Sequence, residues 1–260
     1  MRLQAIIFDF DGVIADTEPL HLRALQSALE GQGVRLSREE YFGRYLGYDD
    51  ATLLAELLRD RGLTMEPEHR REVLAEKARQ YRLLIGENPP MIPGVAAKIR
   101  SWSAQVPIAV ASGALREEIE EILGRAGIRD SVQAIVAAGE VANGKPAPDP
   151  YRRALELLEA EQRRSESPSA AAGRRSVVQP SGPAPATGAI EPARCVAIED
   201  SHWGIESARD AGLRTVAVTT SYRPSALAGA DLVVEGVAAL DLEQLERLCA
   251  TVARRGVTGR

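Results

Sequence analysis

The chain has 260 residues, enough for one large domain or for a main domain with a smaller partner. Its 45% hydrophobic and 27% charged residues are typical of a globular protein. A net charge of −5 gives no electrostatic support to nucleic-acid binding. No apolar run reaches the ~18 residues of a membrane span, and aspartates interrupt the N-terminal stretch where a signal peptide needs apolar residues. We therefore expect a cytoplasmic protein whose partners include neither nucleic acid nor membranes.

The basic residues are strongly biased towards arginine. Only three of the 32 are lysines, namely Lys77, Lys98 and Lys145. The two cations are not interchangeable, because lysine is a compact point charge and arginine a planar fork. A retained lysine can therefore mark a chemical requirement. The alternative is codon bias with chance survivors.

Short apolar runs recur along the chain and predict a β-sheet. Helical patterns lie between most of them, for example at 116–126 before Gly127 and at 202–211 before Gly212. Strands that alternate with helices predict an α/β fold, a Rossmann-like doubly wound parallel sheet. The predicted strands are residues 4–8, 106–111, 132–136, 195–198 and 215–218, with 231–234 as a sixth candidate.

One long stretch breaks this alternation. Residues 17–88 contain only helical periodicity, and a proline and glycine cluster at 89–94 follows it. We expect a small all-helical cap domain at 16–90, inserted after the first strand. Residues 1–15 and 91–260 would then form the catalytic core.

A second insertion has a different composition. Residues 163–192 are rich in Ser, Ala, Pro, Gly and Arg and have no apolar periodicity, which predicts a disordered loop. The loop follows a predicted helix and precedes a predicted strand. In a parallel sheet, such connections lie opposite the carboxyl ends of the strands, where ligands bind. We therefore expect it to lie away from the chemistry.

Polar residues follow several of the predicted strands. They converge on the carboxyl edge of the sheet, and this convergence is stronger evidence for a site than any one residue. Strand one leads to a pair of aspartates, strand two to a Ser-Gly turn, strand four to an acidic pair, and the loop after strand three to a lysine. These residues are Asp9, Asp11, Ser112, Gly113, Glu199, Asp200 and Lys145.

The acidic pairs indicate a metal site. Asp9 and Asp11 could form an ordinary turn, but two carboxylates so close after a buried strand repel each other unless a cation offsets them. An EF-hand is excluded, because counting from Asp9 puts Val13 at the fifth ligand position and Leu20 at the twelfth. Glu199, Asp200 and Ser201 alone could form a helix N-cap, because acidic and hydroxyl residues favour that position. Together, the two pairs suit an oxygen-liganded ion such as Mg²⁺.

The other two segments suit a phosphate group. Ser112 and Gly113 stand between a strand and a helix, where backbone N–H groups can bind phosphate; a plain turn or cap is the alternative. A serine-hydrolase elbow would need glycine at 110, where Val110 stands. Lys145 precedes three prolines in a stiff loop, so its ammonium would be fixed near the carboxylates. The alternative interpretation of Lys145 is an exposed lysine in a loop.

Four segments together resemble the haloacid dehalogenase (HAD) superfamily, in the helical-cap subgroup of β-phosphoglucomutase and related sugar-phosphate phosphatases. They are FDFDGVIADTEPLH, VASGA, NGKPAPDPY and IEDSHWGIESARDAGL, in the family's order. The resemblance covers nearly the whole chain apart from 163–192. It implies a hydrolase whose nucleophile is Asp9 and whose general acid and base is Asp11. The presence of Asp11 argues against a true dehalogenase.

The resemblance also implies the remaining roles. Ser112, Gly113 and Lys145 would bind the transferring phosphoryl group. Mg²⁺ would be held by side chains of the two acidic pairs and the backbone carbonyl of Asp11, that is, by Asp9, Asp11, Glu199 and Asp200. We therefore expect an Mg²⁺-dependent phosphatase that forms an aspartyl-phosphate and acts on a small phosphorylated metabolite, in particular a sugar phosphate.

The cap would choose between hydrolysis and a mutase reaction. Thr17, His21 and Lys77 are candidate substrate residues by the same resemblance. The structural alternatives are that His21 merely caps or packs in the first helix and that Lys77 is a solvated charge. The mutase has an arginine in its first cap loop, where this chain has Asp49 and Asp50, which would repel a bisphosphate. We favour the phosphatase, with a phosphomutase as alternative and an inactive binding module third. We expect a monomer or a weak dimer.

Overall fold

A computed structural model describes residues 2–46, 48, 50–87, 90–166 and 189–250, without the side chains of Glu87 and Glu166. The chain divides into two compact units. The first joins Met1–Asp16 to Met91–Arg260, and the second is Thr17–Pro90. Every helix in the described ranges is too short or too polar to span a bilayer.

The first unit is built on a parallel sheet, to which the described residues contribute six strands. The spatial order is β3-β2-β1-β4-β5-β6, and each neighbouring pair is parallel. The predicted Rossmann-like α/β fold is therefore confirmed, with β1 in the middle and the topological switch between β1 and β4. The strands are β1 (Ala5–Phe8), β2 (Ile108–Ala111), β3 (Ala134–Val136), β4 (Cys195–Glu199), β5 (Arg214–Val218) and β6 (Leu232–Val234).

The second unit contains only helical elements in its described residues. Apolar side chains three or four positions apart on α1 and α3 face a shared core, together with two tyrosines from a π-helical turn that continues α2. The helices are α1 (Glu18–Leu29), α2 (Arg38–Glu40), α3 (Asp50–Asp60) and α4 (Pro67–Glu87).

Helices pack on both faces of the sheet in the first unit. Ile7 of β1 lies in an apolar cluster with Tyr151 of α7 and Ala208 of α8. The next residue, Phe8, stacks on Trp102 of α5, with ring centroids 6.2 Å apart. Successive side chains of a strand point to opposite faces, so β1 is buried on both. The helices are α5 (Val95–Ser103), α6 (Arg116–Arg125), α7 (Asp149–Glu166), α8 (His202–Asp210) and α9 (Leu242–Ala250).

The connection from α7 to β4 differs in part from the predicted loop at 163–192. Helix α7 continues to Glu166, and charged pairs such as Arg163–Glu159 support its last turns where apolar periodicity is absent. Residues 167–188 lie outside the described part of the chain. After them, Glu191 N–H donates to Gln4 Oε1 over 2.8 Å, just before β1. The described end of the connection thus lies at the amino edge of the sheet.

Candidate active site

Polar residues from three adjacent strands meet at the carboxyl edge of the sheet. Asp9 follows β1, Ser112 follows β2, and Glu199 ends β4 with Asp200 after it. Since β1 pairs in parallel with both β2 and β4, the residues beyond all three strands leave the same edge. All four are buried. The apolar runs that form the strands therefore also place the polar residues that end them.

The turn after β1 brings its backbone against Asp200. Gly12 has φ +74°, and a Cβ there would lie 1.9 Å from Asp200 Oδ2, so only glycine permits this approach. Asp11, half-buried, lies in the same turn two residues beyond Asp9. The hydroxyl of Ser221, after β5, donates a short hydrogen bond to Asp200. Ser221 thus contacts the candidate site, and the sequence pattern did not identify it.

Asp9, Glu199 and Asp200 form what we name the acidic cluster. Each offers a carboxylate oxygen within 4.8 Å of those of the other two. Burial, reinforced by the charge of Glu199, raises the pKa of Asp9 to about 7. Burial and the charge of Asp9 raise the pKa of Asp200 well above its usual range. Such a cluster needs positive charge, and its oxygen-only donor set fits a hard divalent ion such as Mg²⁺.

Lys145 supplies part of that positive charge. Its ammonium lies 2.8 Å from Asp9 Oδ1 and 2.5 Å from Glu199 Oε1. Burial alone would lower the pKa of Lys145, but the two carboxylates raise it above its usual range, so the ammonium stays protonated. Downstream, the loop is fixed to α8, because Ser207 Oγ donates to the carbonyl oxygen of Ala147 over 2.6 Å. The lysine is not an exposed loop residue.

The upstream end of the Lys145 loop is fixed to α6. The Arg116 guanidinium binds both oxygens of Glu140, at 2.5 and 2.7 Å, and also donates to the carbonyl oxygen of Ile135 over 2.8 Å. The N–H of Ala137 donates to the same Glu140 carboxylate over 3.1 Å. The helix after Ser112 and the loop before Lys145 are thus tied together.

The Glu199 side chain has no exposed surface, and both of its carboxylate oxygens accept hydrogen bonds. Tyr151 OH donates to Oε1 over 2.6 Å, and Ser201 Oγ to Oε2 over 3.2 Å. Ser201 also caps α8, since its Oγ accepts from the N–H of Gly204 over 3.1 Å. A Cβ on Gly204 would lie 1.9 Å from the Glu199 carboxyl group. The N-cap alternative is therefore present for Ser201, while Glu199 points into the acidic cluster.

Ser112 and Gly113 lie at the predicted edge between β2 and α6. Ser112 Oγ accepts a hydrogen bond from the N–H of Ala114 over 3.1 Å, so the local serine turn weighed as an alternative is present. Nothing lies within 4 Å of a Cβ placed on Gly113. This segment leaves open space beside the strand end, as a phosphate-binding turn requires.

In the second unit, His21, Asp50 and Lys77 form what we name the Lys77 cluster. Lys77 is 2% exposed, and its Nζ lies 2.7 Å from both His21 Nδ1 and Asp50 Oδ2. Burial, together with the charge of Lys77, lowers the pKa of His21 to about 3, so the neutral ring accepts the bond at Nδ1. The ring also stacks on Tyr81 at 4.1 Å. Lys77 is thus not a solvated charge. The carbonyl oxygen of Thr17, which is buried, accepts from the His21 N–H over 3.0 Å.

Asp50 changes the interpretation of the acidic cap stretch. The sequence suggests that Asp49 and Asp50 repel a bisphosphate, but the Asp50 carboxylate is paired with Lys77, which offsets its charge. Asp49 lies outside the described residues. The repulsion expected from this stretch is therefore reduced at Asp50.

Comparisons with known proteins agree with this geometry. The family model for haloacid dehalogenase-like hydrolases matches residues 3–212. Fructose-1-phosphate phosphatase YqaB of Escherichia coli is 27% identical, with 84% of this chain and 97% of that protein covered. β-Phosphoglucomutase of Bacillus subtilis is 28% identical, with 94% of each covered. The crystal structure of CbbY from Rhodobacter sphaeroides in complex with phosphate superposes with a TM-score of 0.71 at 29% identity, covering 92% of this chain and 96% of that one.

Proposed function

Because this chain belongs to the haloacid dehalogenase-like hydrolase family, we propose that it is a magnesium-dependent phosphatase that hydrolyses a small phosphorylated metabolite, specifically a sugar phosphate. The proposal depends above all on the placement of Asp9, a buried carboxylate that Lys145 holds beside Asp200. Relatives named for phosphatase and phosphomutase activity support an enzyme that acts on phosphate esters. The proposed location is the cytoplasm, and the proposed state is a monomer or weak dimer, which sedimentation velocity would check.

The proposed reaction has two steps. The ionised carboxylate of Asp9 attacks phosphorus, the bond to the leaving alkoxide breaks, and an aspartyl-phosphate forms. Asp11 donates a proton to the leaving oxygen and then accepts one from the water that attacks phosphorus, which releases inorganic phosphate and free Asp9. Lys145 holds Asp9 and offsets charge on the phosphoryl oxygens. Ser112 and Gly113 bind those oxygens.

The same residues would hold the metal. Side chains of the acidic cluster, Asp9, Glu199 and Asp200, and the backbone carbonyl of Asp11 would bind Mg²⁺, which when bound offsets the charge of the phosphoryl group. Asp9 must be ionised to attack, yet its pKa is raised to about 7. A bound cation favours the carboxylate form, so it would restore the nucleophile at neutral pH.

We assign substrate selection to residues 16–90, proposed as the helical cap of the subgroup that the chain resembles. Thr17, His21 and Lys77 are its proposed substrate residues. The Lys77 cluster supports this role, because a buried ammonium held between a neutral imidazole and a partly exposed carboxylate can bind hydroxyl or phosphate oxygens.

A phosphomutase is the second candidate. The similarity to β-phosphoglucomutase of Bacillus subtilis extends over 94% of this chain, and the pairing of Asp50 with Lys77 weakens one argument against a bisphosphate. The two candidates differ in the acceptor of the phosphoryl group. Hydrolysis transfers it from Asp9 to water, and a mutase transfers it to a second sugar hydroxyl.

One assay separates the candidates. Phosphate release is measured on a panel of hexose, pentose and polyol phosphates with Mg²⁺ and with EDTA, and isomerisation of glucose 1-phosphate is followed with and without a glucose bisphosphate. Metal-dependent release without a bisphosphate supports the phosphatase. Isomerisation that requires the bisphosphate supports the mutase. No turnover on any ester would contradict both and favour a binding module.

A further inference from the structure

We propose that Tyr151 is a positioning residue for this reaction: its hydroxyl holds Glu199 so that the ammonium of Lys145 is shared between Glu199 and Asp9. The inference rests on the proposed function and deepens it. Tyr151 is fully buried on the first turn of α7, and no metal or phosphoryl role falls to it in the mechanism above.

The hydrogen bonds of Glu199 carry the inference. Its Oε1 accepts two bonds, from Tyr151 OH over 2.6 Å and from Lys145 Nζ over 2.5 Å. Its Oε2 accepts from Ser201 Oγ over 3.2 Å. The Glu199 side chain has no exposed surface, so water cannot replace a lost donor without rearrangement. Each donor therefore sets how strongly Oε1 attracts the lysine.

Tyr151 contacts both members of the ion pair. Its hydroxyl reaches the carboxylate of Glu199, and the Lys145 ammonium lies 5.3 Å from the centroid of its ring, within the range of a cation–π contact. A phenylalanine at this position keeps the ring and removes only the hydrogen bond. A single substitution can therefore separate the two contacts.

Loss of the hydroxyl has a directional consequence. With one donor fewer, the charge on Glu199 Oε1 is less dispersed and attracts the remaining donor, Lys145, more strongly. The ammonium then moves towards Glu199 and away from Asp9, whose bond to it is the longer at 2.8 Å. Asp9 and the phosphoryl group lose the charge that the reaction needs.

The first test is kinetic, with a matched control. Tyr151→Phe should lower kcat for p-nitrophenyl phosphate about tenfold, the size expected for one hydrogen bond to a charged group. The control is Tyr45→Phe, which removes a hydrogen bond of similar length from a buried tyrosine to a carboxylate, Tyr45 OH to Asp60 Oδ2 over 2.7 Å, in the second unit. We expect Y45F to lower Tm by a similar amount and to leave kcat within about twofold.

The second test does not depend on turnover. Because the chain has only three lysines, NMR of protein labelled at lysine ¹³Cε and ¹⁵Nζ reports each ammonium separately, with K145R to assign Lys145. Y151F should shift the Lys145 signal and leave Lys98 unchanged. If the parent enzyme hydrolyses no ester, the proposed function fails, while this spectrum still decides whether the hydroxyl positions the ammonium.

Three results would overturn the inference. One is a Lys145 signal in Y151F that matches the parent. Another is a kcat of Y151F within about twofold of an active parent, or an equal loss in Y45F. The third is a Y151F chain that does not fold where Y45F does, because Tyr151 would then serve stability.

Discussion

Each unit of this molecule contains a lysine whose ammonium lies between hydrogen-bond acceptors, and the two lysines have surroundings of different charge. Lys145 bridges two members of the acidic cluster, at 2.8 and 2.5 Å, and its side chain is 14% exposed. Lys77 lies 2.7 Å from one carboxylate and one neutral imidazole, and its side chain is 3% exposed. An ammonium with little exposure to solvent is stable in both places because it lies against hydrogen-bond acceptors.

The two clusters differ in their net charge. The acidic cluster has three carboxylates and Lys145 brings one positive charge to it, so the cluster keeps an excess of negative charge, and the pKa values of Asp9 and Asp200 are raised. In the Lys77 cluster, one carboxylate balances one ammonium. An unbalanced cluster requires a cation and can supply a nucleophile, whereas a balanced one provides fixed hydrogen-bonding groups. We therefore expect chemistry from the first and binding or stability from the second.

The largest contrast should come from the two aspartates that bind these lysines. Asp9→Asn removes the proposed nucleophile and should lower kcat by about 10⁴-fold or more, with the far-UV spectrum unchanged. The matched substitution Asp50→Asn should lower kcat at most about tenfold. Steady-state phosphate release measures both. Substantial activity in Asp9→Asn would refute the nucleophile assignment.

Removing the ammonium of the acidic cluster should have the next largest effect. Lys145→Met leaves three carboxylates without their protein cation and should lower kcat about 10²–10³-fold, as the loss of a charge-stabilising donor does. Lys77→Met should lower the midpoint of urea unfolding and raise KM, with a smaller effect on kcat. Equal effects of the two variants on kcat would contradict the difference that we draw between the clusters.

The Lys77 cluster should make stability depend on pH. The unfolded chain protonates His21 below about pH 6.5, while the folded chain keeps it neutral down to about pH 3. Falling pH therefore lowers the free energy of unfolding over this window, by up to about 1.4 kcal/mol per pH unit. The stability that the neutral His21 contributes is fully present above pH 6.5. Urea unfolding between pH 7 and 5 measures it. His21→Gln should flatten the slope; an unchanged slope in His21→Gln would show that this histidine does not cause the pH dependence.

The smallest effect should come from a region outside both clusters. Replacing residues 167–188 with a short Gly/Ser linker should leave kcat within about twofold, because Glu191, which follows this segment, lies at the amino edge of the sheet and the acidic cluster at the carboxyl edge. Steady-state phosphate release gives kcat for the linker variant and for the parent chain. A large loss of rate would place this segment in the chemistry.

The location of the candidate site could be predicted because it depends on local features. Apolar runs predict buried strands, and the alternation with helices predicts a parallel sheet, so Asp9, Ser112 and Asp200 had to leave the same edge. Tyr151 and Ser221 could not be found in this way. They bind Glu199 and Asp200 across 48 and 21 residues of chain, and no periodic pattern encodes such a contact.

By itself, the sequence determined the order of strands and helices, the fold class and the edge at which the carboxylates gather, because these follow from short-range patterns of apolar and polar residues. Only the tertiary structure decided which partners each lysine has, and hence that Lys145 faces excess negative charge while Lys77 is balanced. The physical reason is that hydrogen bonds and ion pairs need atoms within about 3–4 Å. Elements distant in the chain reach that proximity only when they pack.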